Sequence, residues 1–166
     1  MIQGVHLIRC YHISYEKLLG GLPSGRGRQA PESVLHLDYK HSYFKHGFID
    51  INGNLIVPCQ WKGASSFHEG MARVTEDNGK WDGGLTGFIN KEGELVCPCI
   101  WEFAWDFSGG LALVEDSNLK YGFIDKSGKL AIPCQWDFAE SFDNGRAKVR
   151  ADDEEYYIDQ YGNRID

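Results

Sequence analysis

The sequence predicts an all-β fold, a tandem array of short antiparallel strands, and three observations point to it. First, the phrase GFIDINGNLIVPCQW from Gly47 returns as GFINKEGELVCPCIW from Gly87 and GFIDKSGKLAIPCQW from Gly122, and a shortened copy, YYIDQYGNRID, follows. Second, starts at 47, 87 and 122 give spacings of 40 and 35 residues, a period that belongs to stacked supersecondary units. Third, agreement continues downstream. Ala64, Ala104 and Ala139 share one offset, as do Phe67, Phe107 and Phe142; Gly70, Gly110 and Gly145; Ala72, Ala112 and Ala147; and Val74, Val114 and Val149. Residues that recur at one offset meet the same packing problem each time.

Within a copy, Gly-Phe-Ile-Asp, a Gly three residues later and then an aliphatic run read as a β-hairpin. The fixed Gly suggests a positive φ in its turn. Asp50, Asp125 and Asp159, matched by Asn90, are turn residues whose short side chains bond nearby amides. Pro58, Pro98 and Pro133 are expected to stop the second strand, since proline has no amide hydrogen to give. Trp, Ala and Phe then recur three apart, which predicts a compact turn-rich linker, one helical or 3₁₀ turn long, whose aromatics plug the core. Ala-x-Val begins a third strand. Three strands per copy give about ten in all, in a curled meander or barrel-like superhelix; a propeller is the alternative, although its blades usually take four strands.

One structural domain is expected, with copies at 47–86, 87–121 and 122–155 and a partial copy at 156–166. Residues 1–46 form an atypical N-terminal cap containing a flexible Gly/Pro-rich loop at 20–31. VLHLD, residues 34–38, alternates as a strand and lies where a preceding copy would place its Ala-x-Val strand.

A chain of 166 residues buries roughly 70% of its unfolded surface and needs no metal or disulfide for stability. No run approaches the roughly 18 apolar residues that span a bilayer, and the N-terminus lacks the pattern of a signal peptide. A cytoplasmic location follows as an expectation, and with it reduced thiols for the five cysteines. Residues 47–166 hold 11 Lys/Arg against 21 Asp/Glu, net −10, while residues 1–46 hold six against three, net +3. An acidic array repels nucleic acid and anionic membrane and favours a basic protein partner.

The repeat resembles the bacterial WG (also KWG) family, whose unit runs through a hydrophobic-Ile-Asp strand, a Gly turn, an aliphatic-Pro strand, then an aromatic, Phe, Gly and Ala-x-Val. The resemblance covers residues 47–166. It departs at the family's signature Trp before Gly, where this chain has His46, Thr86 and Tyr121; Trp stands instead after the Pro-Cys pair. What the resemblance implies is a non-enzymatic β-rich interaction module, with no catalytic residues to carry over.

The residues agree with that implication. Phosphate-loop, HExxH, Gly-x-Ser-x-Gly and dinucleotide patterns are missing from the sequence. Cys59, Cys99 and Cys134 lack the spacing of a zinc knuckle and read as strand-end packing. His36, His41 and His46, five apart, fall on alternate faces of a strand, which disfavours a joint site. Neither metal nor cofactor is expected.

Function is therefore sought where copies disagree. Trp105 stands where the other copies have Ser65 and Glu140. Trp81 lies in an insertion with Asp77 and Asp82. Asp106 follows Trp105, and Asp152, Asp153 and Glu154 open the densest acidic run. These eight residues are the candidate partner-binding set, Trp supplying the anchor that interfaces favour. The expected function is protein–protein interaction, in a narrower form an inhibitor or immunity-type protein that masks a basic effector. The alternative is carbohydrate or cell-surface binding, which needs Trp61, Trp101 and Trp136 exposed in a row.

Overall fold

The computed structural model describes residues 5–11, 44–77 and 83–165. Every regular element among them is a strand, and all ladders are antiparallel. Strands β1 (His6–Tyr11), β2 (Phe44–Ile49) and β3 (Leu55–Trp61) form the first sheet. The second comprises β4 (Gly63–Ala64), β5 (Met71–Thr75), β6 (Thr86–Asn90) and β7 (Leu95–Trp101). The third comprises β8 (Phe103–Ala104), β9 (Leu111–Glu115), β10 (Tyr121–Asp125) and β11 (Leu130–Trp136). The fourth comprises β12 (Phe138–Ala139), β13 (Ala147–Ala151) and β14 (Glu154–Ile158). No closed barrel forms among the described residues. No helix of the described residues is long and apolar enough to cross a membrane.

Each copy thus contributes four strands, not three. The segment expected as a helical turn is instead a short β-strand after one bend residue, Lys62, Glu102 or Asp137, whose amide still bonds the neighbouring strand. The bend changes the parity of the pleat, so Trp101, Ala104 and Phe107 all reach the core although they are three apart. Phe67, Phe107 and Phe142 then meet Phe48, Phe88 and Phe123 with ring centroids 4.9, 5.0 and 4.8 Å apart.

Proline does not end the second strand either. Pro58, Pro98 and Pro133 lie inside β3, β7 and β11, which are sheet edges, so one side of the strand needs no donor. The ladder bulges there: His46 faces Trp61 and Phe48 faces Val57, so two steps along β2 match four along β3. The bulge folds over the Gly of Gly-Phe-Ile. A Cβ at Gly87 would lie 2.4 Å from the Cys97 carbonyl oxygen, and one at Gly47 would lie 2.5 Å from that of Val57. Tyr156 holds this offset in the shortened copy, where only an isolated bridge, Ile158 to Arg164, lies alongside. A side chain fits where the bulge is missing.

Hairpin turns carry the expected chemistry. Gly93 and Gly128 have φ of 84° and 78°, and they seat on Val57 and on the Val96–Cys97 backbone of the preceding copy. In each turn one side-chain oxygen accepts two backbone N–H groups: Asp125 from Ser127 and Lys129, Asn90 from Glu92 and Glu94. These bonds hold Asp50, Asp125 and Asp159 below the usual carboxylate range; the Ser127 hydroxyl is foremost at Asp125, and the Asn54 and Asn163 amides at the other two. A depressed folded pKa means stability that is present above the unfolded value and lost as pH falls through the folded one. Acid denaturation is therefore expected to steepen below about pH 4. Asp125→Asn should keep the turn, as Asn90 does, and flatten that limb, which thermal melts from pH 6 downward (about 3 to 6) would measure.

The sheets stack face to face. Phe48 and Val57 of the first pack on Ala72, Val74 and Ile89 of the second. The other face of the second, with Phe88, Cys97 and Trp101, packs on Ala112, Val114 and Ile124 of the third. Leu113, Phe123, Ile132 and Trp136 of the third meet Ala147, Val149 and Ile158 of the fourth. The two middle sheets are buried on both faces, which is why β9, Leu-Ala-Leu-Val-Glu, reads as a nearly unbroken apolar run. At the far end the repeating Phe is replaced by Tyr157, covered by Arg146 with its guanidinium 4.7 Å from the ring.

At the other end β1 pairs with β2, with Ile8 opposite Gly47, the place that Val74 takes opposite Gly87. Residues 34–38, read as the strand for this place, lie outside the described residues, as do the loop at 20–31 and His12, His36 and His41.

Candidate functional site

Equivalent offsets in successive sheets form a row across the strands, and one row differs sharply between copies. In the second sheet it reads Gly63, Thr75, Thr86, Trp101. The third has Phe103, Glu115, Tyr121, Trp136, and the fourth has Phe138, Arg150, Glu155. Directly paired residues share a sheet face. Hence the second sheet has small residues where the third has rings.

The consequence is visible in the space beside each row. Along the second sheet an open cleft of about 620 Å³ remains, lined by Lys62, Gly63, Arg73, Thr75, Thr86 and Phe103 among others. Beside the third the place is occupied by a chain of rings. Phe103 lies 6.5 Å from Trp105, Trp105 lies 5.9 Å from Tyr121, and Tyr121 lies 6.4 Å from Phe138, between centroids. Phe103 is 62% exposed, and Trp105 and Phe138 are each 37% exposed. Exposed acids adjoin the rings: Glu102 precedes Phe103, Asp137 precedes Phe138, and Glu140 holds the offset of Trp105 in the next copy.

Beneath this margin lies a buried carboxylate. Glu115 is only 7% exposed, between Phe103 and Tyr121 in the row. Tyr121 is its direct cross-strand neighbour; burial first, then the Glu115 charge, push the Tyr121 phenol up. No lysine or arginine forms an ion pair with Glu115 among the described residues. Lys120, next to Tyr121, pairs with Asp137.

The predicted residues fall in separate places. Trp105 is in the exposed margin. Asp106 beside it turns to the preceding copy, 3.5 Å from His68 and 3.8 Å from Arg73. Asp77, after β5, pairs with Lys45. Asp152 and Asp153 form the two-residue turn between β13 and β14, with φ of 49° and 63°, the positive pair that a type I′ hairpin demands. Glu154 follows and pairs with Arg164 at 2.8 Å. Trp81 and Asp82 lie outside the described residues. Phe103, Tyr121, Phe138 and Glu115 were missed, although the rule that singled out Trp105, disagreement between copies, picks out each of them.

The other candidates resolve into packing. Trp101 and Trp136 are buried, the first donating to the Cys97 sulfur at 3.3 Å and the second to the Tyr156 hydroxyl at 2.9 Å. The exposed tryptophan row that carbohydrate binding needs is not formed. Cys99 and Cys134 are free thiols, each pushed up to about 11, mainly by burial, so they stay protonated and unreactive. The expectation of reduced thiols fails at Cys59, which is disulfide-bonded. No group of three metal-ligating side chains converges among the described residues.

Comparison with known proteins agrees with the repeat. A family model described as WG containing repeat matches residues 47–81, 87–119 and 121–154. No curated protein and no solved structure matches the chain.

Proposed function

This chain belongs to the WG repeat family, and from that premise we propose that it is a non-catalytic interaction module that docks a basic protein on the aromatic margin of its third sheet. The observation that carries this reading is the exposed chain of rings from Phe103 to Phe138. The fold does not need these rings, because the equivalent offsets hold Gly63, Ser65 and Thr86 in another copy. Aromatic side chains held on rigid strands lose little entropy on binding and make strong anchors. The surrounding acids and the net −10 of the repeat region select a basic partner and speed its approach. The narrower form is an inhibitor or immunity-type protein of the cytoplasm, masking a basic effector.

The test uses the double variant Phe103→Gly with Trp105→Ser, residues the first copy already carries at these offsets. It should fold with a melting temperature within about 3 °C of the parent. Affinity capture at low salt, followed by direct titration of each protein recovered, should give a basic partner bound at least about 30-fold more weakly by the variant. Affinity should also fall between about 50 and 300 mM salt. A partner bound equally by parent and variant, or no partner at low salt, would refute the reading.

A further inference from the structure

We propose that the third sheet receives one arginine side chain of the partner, stacked on Phe103 and Trp105, with the Glu115 carboxylate as its counter-charge. The inference rests on the docking reading above and names the group that the margin recognises.

Comparison of successive rows leads to it. In the fourth sheet the row runs ring, cation, carboxylate: Phe138, Arg150, Glu155. There the Arg150 guanidinium lies 5.7 Å from the centre of the Phe138 ring. The chain stacks an arginine of its own on the ring equivalent to Phe103. In the third sheet the ring is kept and a second is added in Tyr121, but the cation's place is taken by Glu115. This row therefore has the rings and the negative charge of a cation site without the cation.

Glu115 supplies the second, independent argument. A carboxylate taken out of water costs free energy unless it is hydrogen-bonded and paired. Glu115 is more than nine-tenths buried, its neighbour in the row is the Tyr121 phenol, and no described cation pairs with it. A guanidinium suits this row better than an ammonium: it is planar, weakly hydrated, stacks on aromatic faces and can give a carboxylate two parallel hydrogen bonds. The rings are exposed on one side, so the planar group can enter by stacking, with its edge towards the carboxylate.

The probe is the capped tripeptide acetyl-Ala-Arg-Ala-amide, with its citrulline counterpart as an uncharged match in shape. The indole N–H resonance of Trp105, assigned by its loss in Trp105→Phe, reports binding. The arginine peptide should shift this resonance saturably at low salt, and the citrulline peptide should not. Glu115→Gln and Phe103→Gly should each weaken binding at least about tenfold. Should Glu115→Gln fail to fold, the citrulline comparison and Phe103→Gly decide. No saturable shift, equal response to citrulline, or Glu115→Gln within about twofold of the parent overturns the inference. The two readings separate cleanly. A captured partner that needs Trp105 but is indifferent to Glu115→Gln leaves the docking surface standing and removes only the arginine site.

Discussion

Phe88→Ala is expected to cost about 4 kcal/mol of stability, the usual range for emptying a fully buried phenylalanine site. Phe88 is completely buried between the second and third sheets, with Cys97, Trp101 and Phe107 around it and Ala112, Val114 and Ile124 opposite. Its ring meets Phe107 edge-on at 5.0 Å, so truncation also removes an aromatic pair. Collapse cannot easily refill the space, because the neighbouring groups are held by two hydrogen-bonded sheets. Since nearest-neighbour interfaces hold such arrays together, the loss should also weaken the coupling between the parts on either side. Urea denaturation followed by far-ultraviolet circular dichroism measures it, with Phe103→Ala, whose ring is exposed, expected within about 0.5 kcal/mol of the parent. A Phe88→Ala loss below about 1.5 kcal/mol would show that the packing between the sheets is looser than described.

Gly87→Ala should destabilise by about 3 kcal/mol although it adds one methyl group. The new Cβ would meet backbone at 2.4 Å from the Cys97 oxygen, 2.8 Å from the Pro98 carbonyl carbon and 2.9 Å from the Cys99 nitrogen. None of these is the end of a flexible side chain, so β6 and β7 must separate or the bulge must open. Gly110→Ala is the informative control. It has open space but a φ of 82°, so its cost should be the conformational one alone, about 1 kcal/mol. Thermal melts of the two variants should rank them in that order. Equal losses would mean that the bulge over Gly87 opens readily enough to admit the methyl group.

The repeat, its hairpins and the side-chain turns were legible because each is a local rule: a fixed Gly, an Asp or Asn before it, and apolar residues at constant offsets. What escaped was set by interaction between strands. Proline at 98 reads as a strand stop, yet an edge position and a bulge admit it inside β7. The three-apart spacing of Trp101, Ala104 and Phe107 imitates a helical turn, and only the bend at Glu102 shows how a strand produces it. For the site, the comparison of copies that singled out Trp105 applies equally to Phe103, Tyr121 and Glu115, but nothing in the sequence marks them as neighbours. These residues belong together only through the ladder β8, β9, β10, and sequence distance conceals that row.

One bend residue, Glu102, separates β7 from β8, so the last strand of one sheet runs straight into the first strand of the next. Every sheet from the second onward is consequently made of consecutive chain, the second from Gly63 to Trp101 and the third from Phe103 to Trp136. During synthesis at the ribosome each sheet can close as soon as its own length has emerged, without waiting for a distant strand. The freshly closed sheet then offers its apolar face as the template on which the next one settles, so assembly order follows the order of translation.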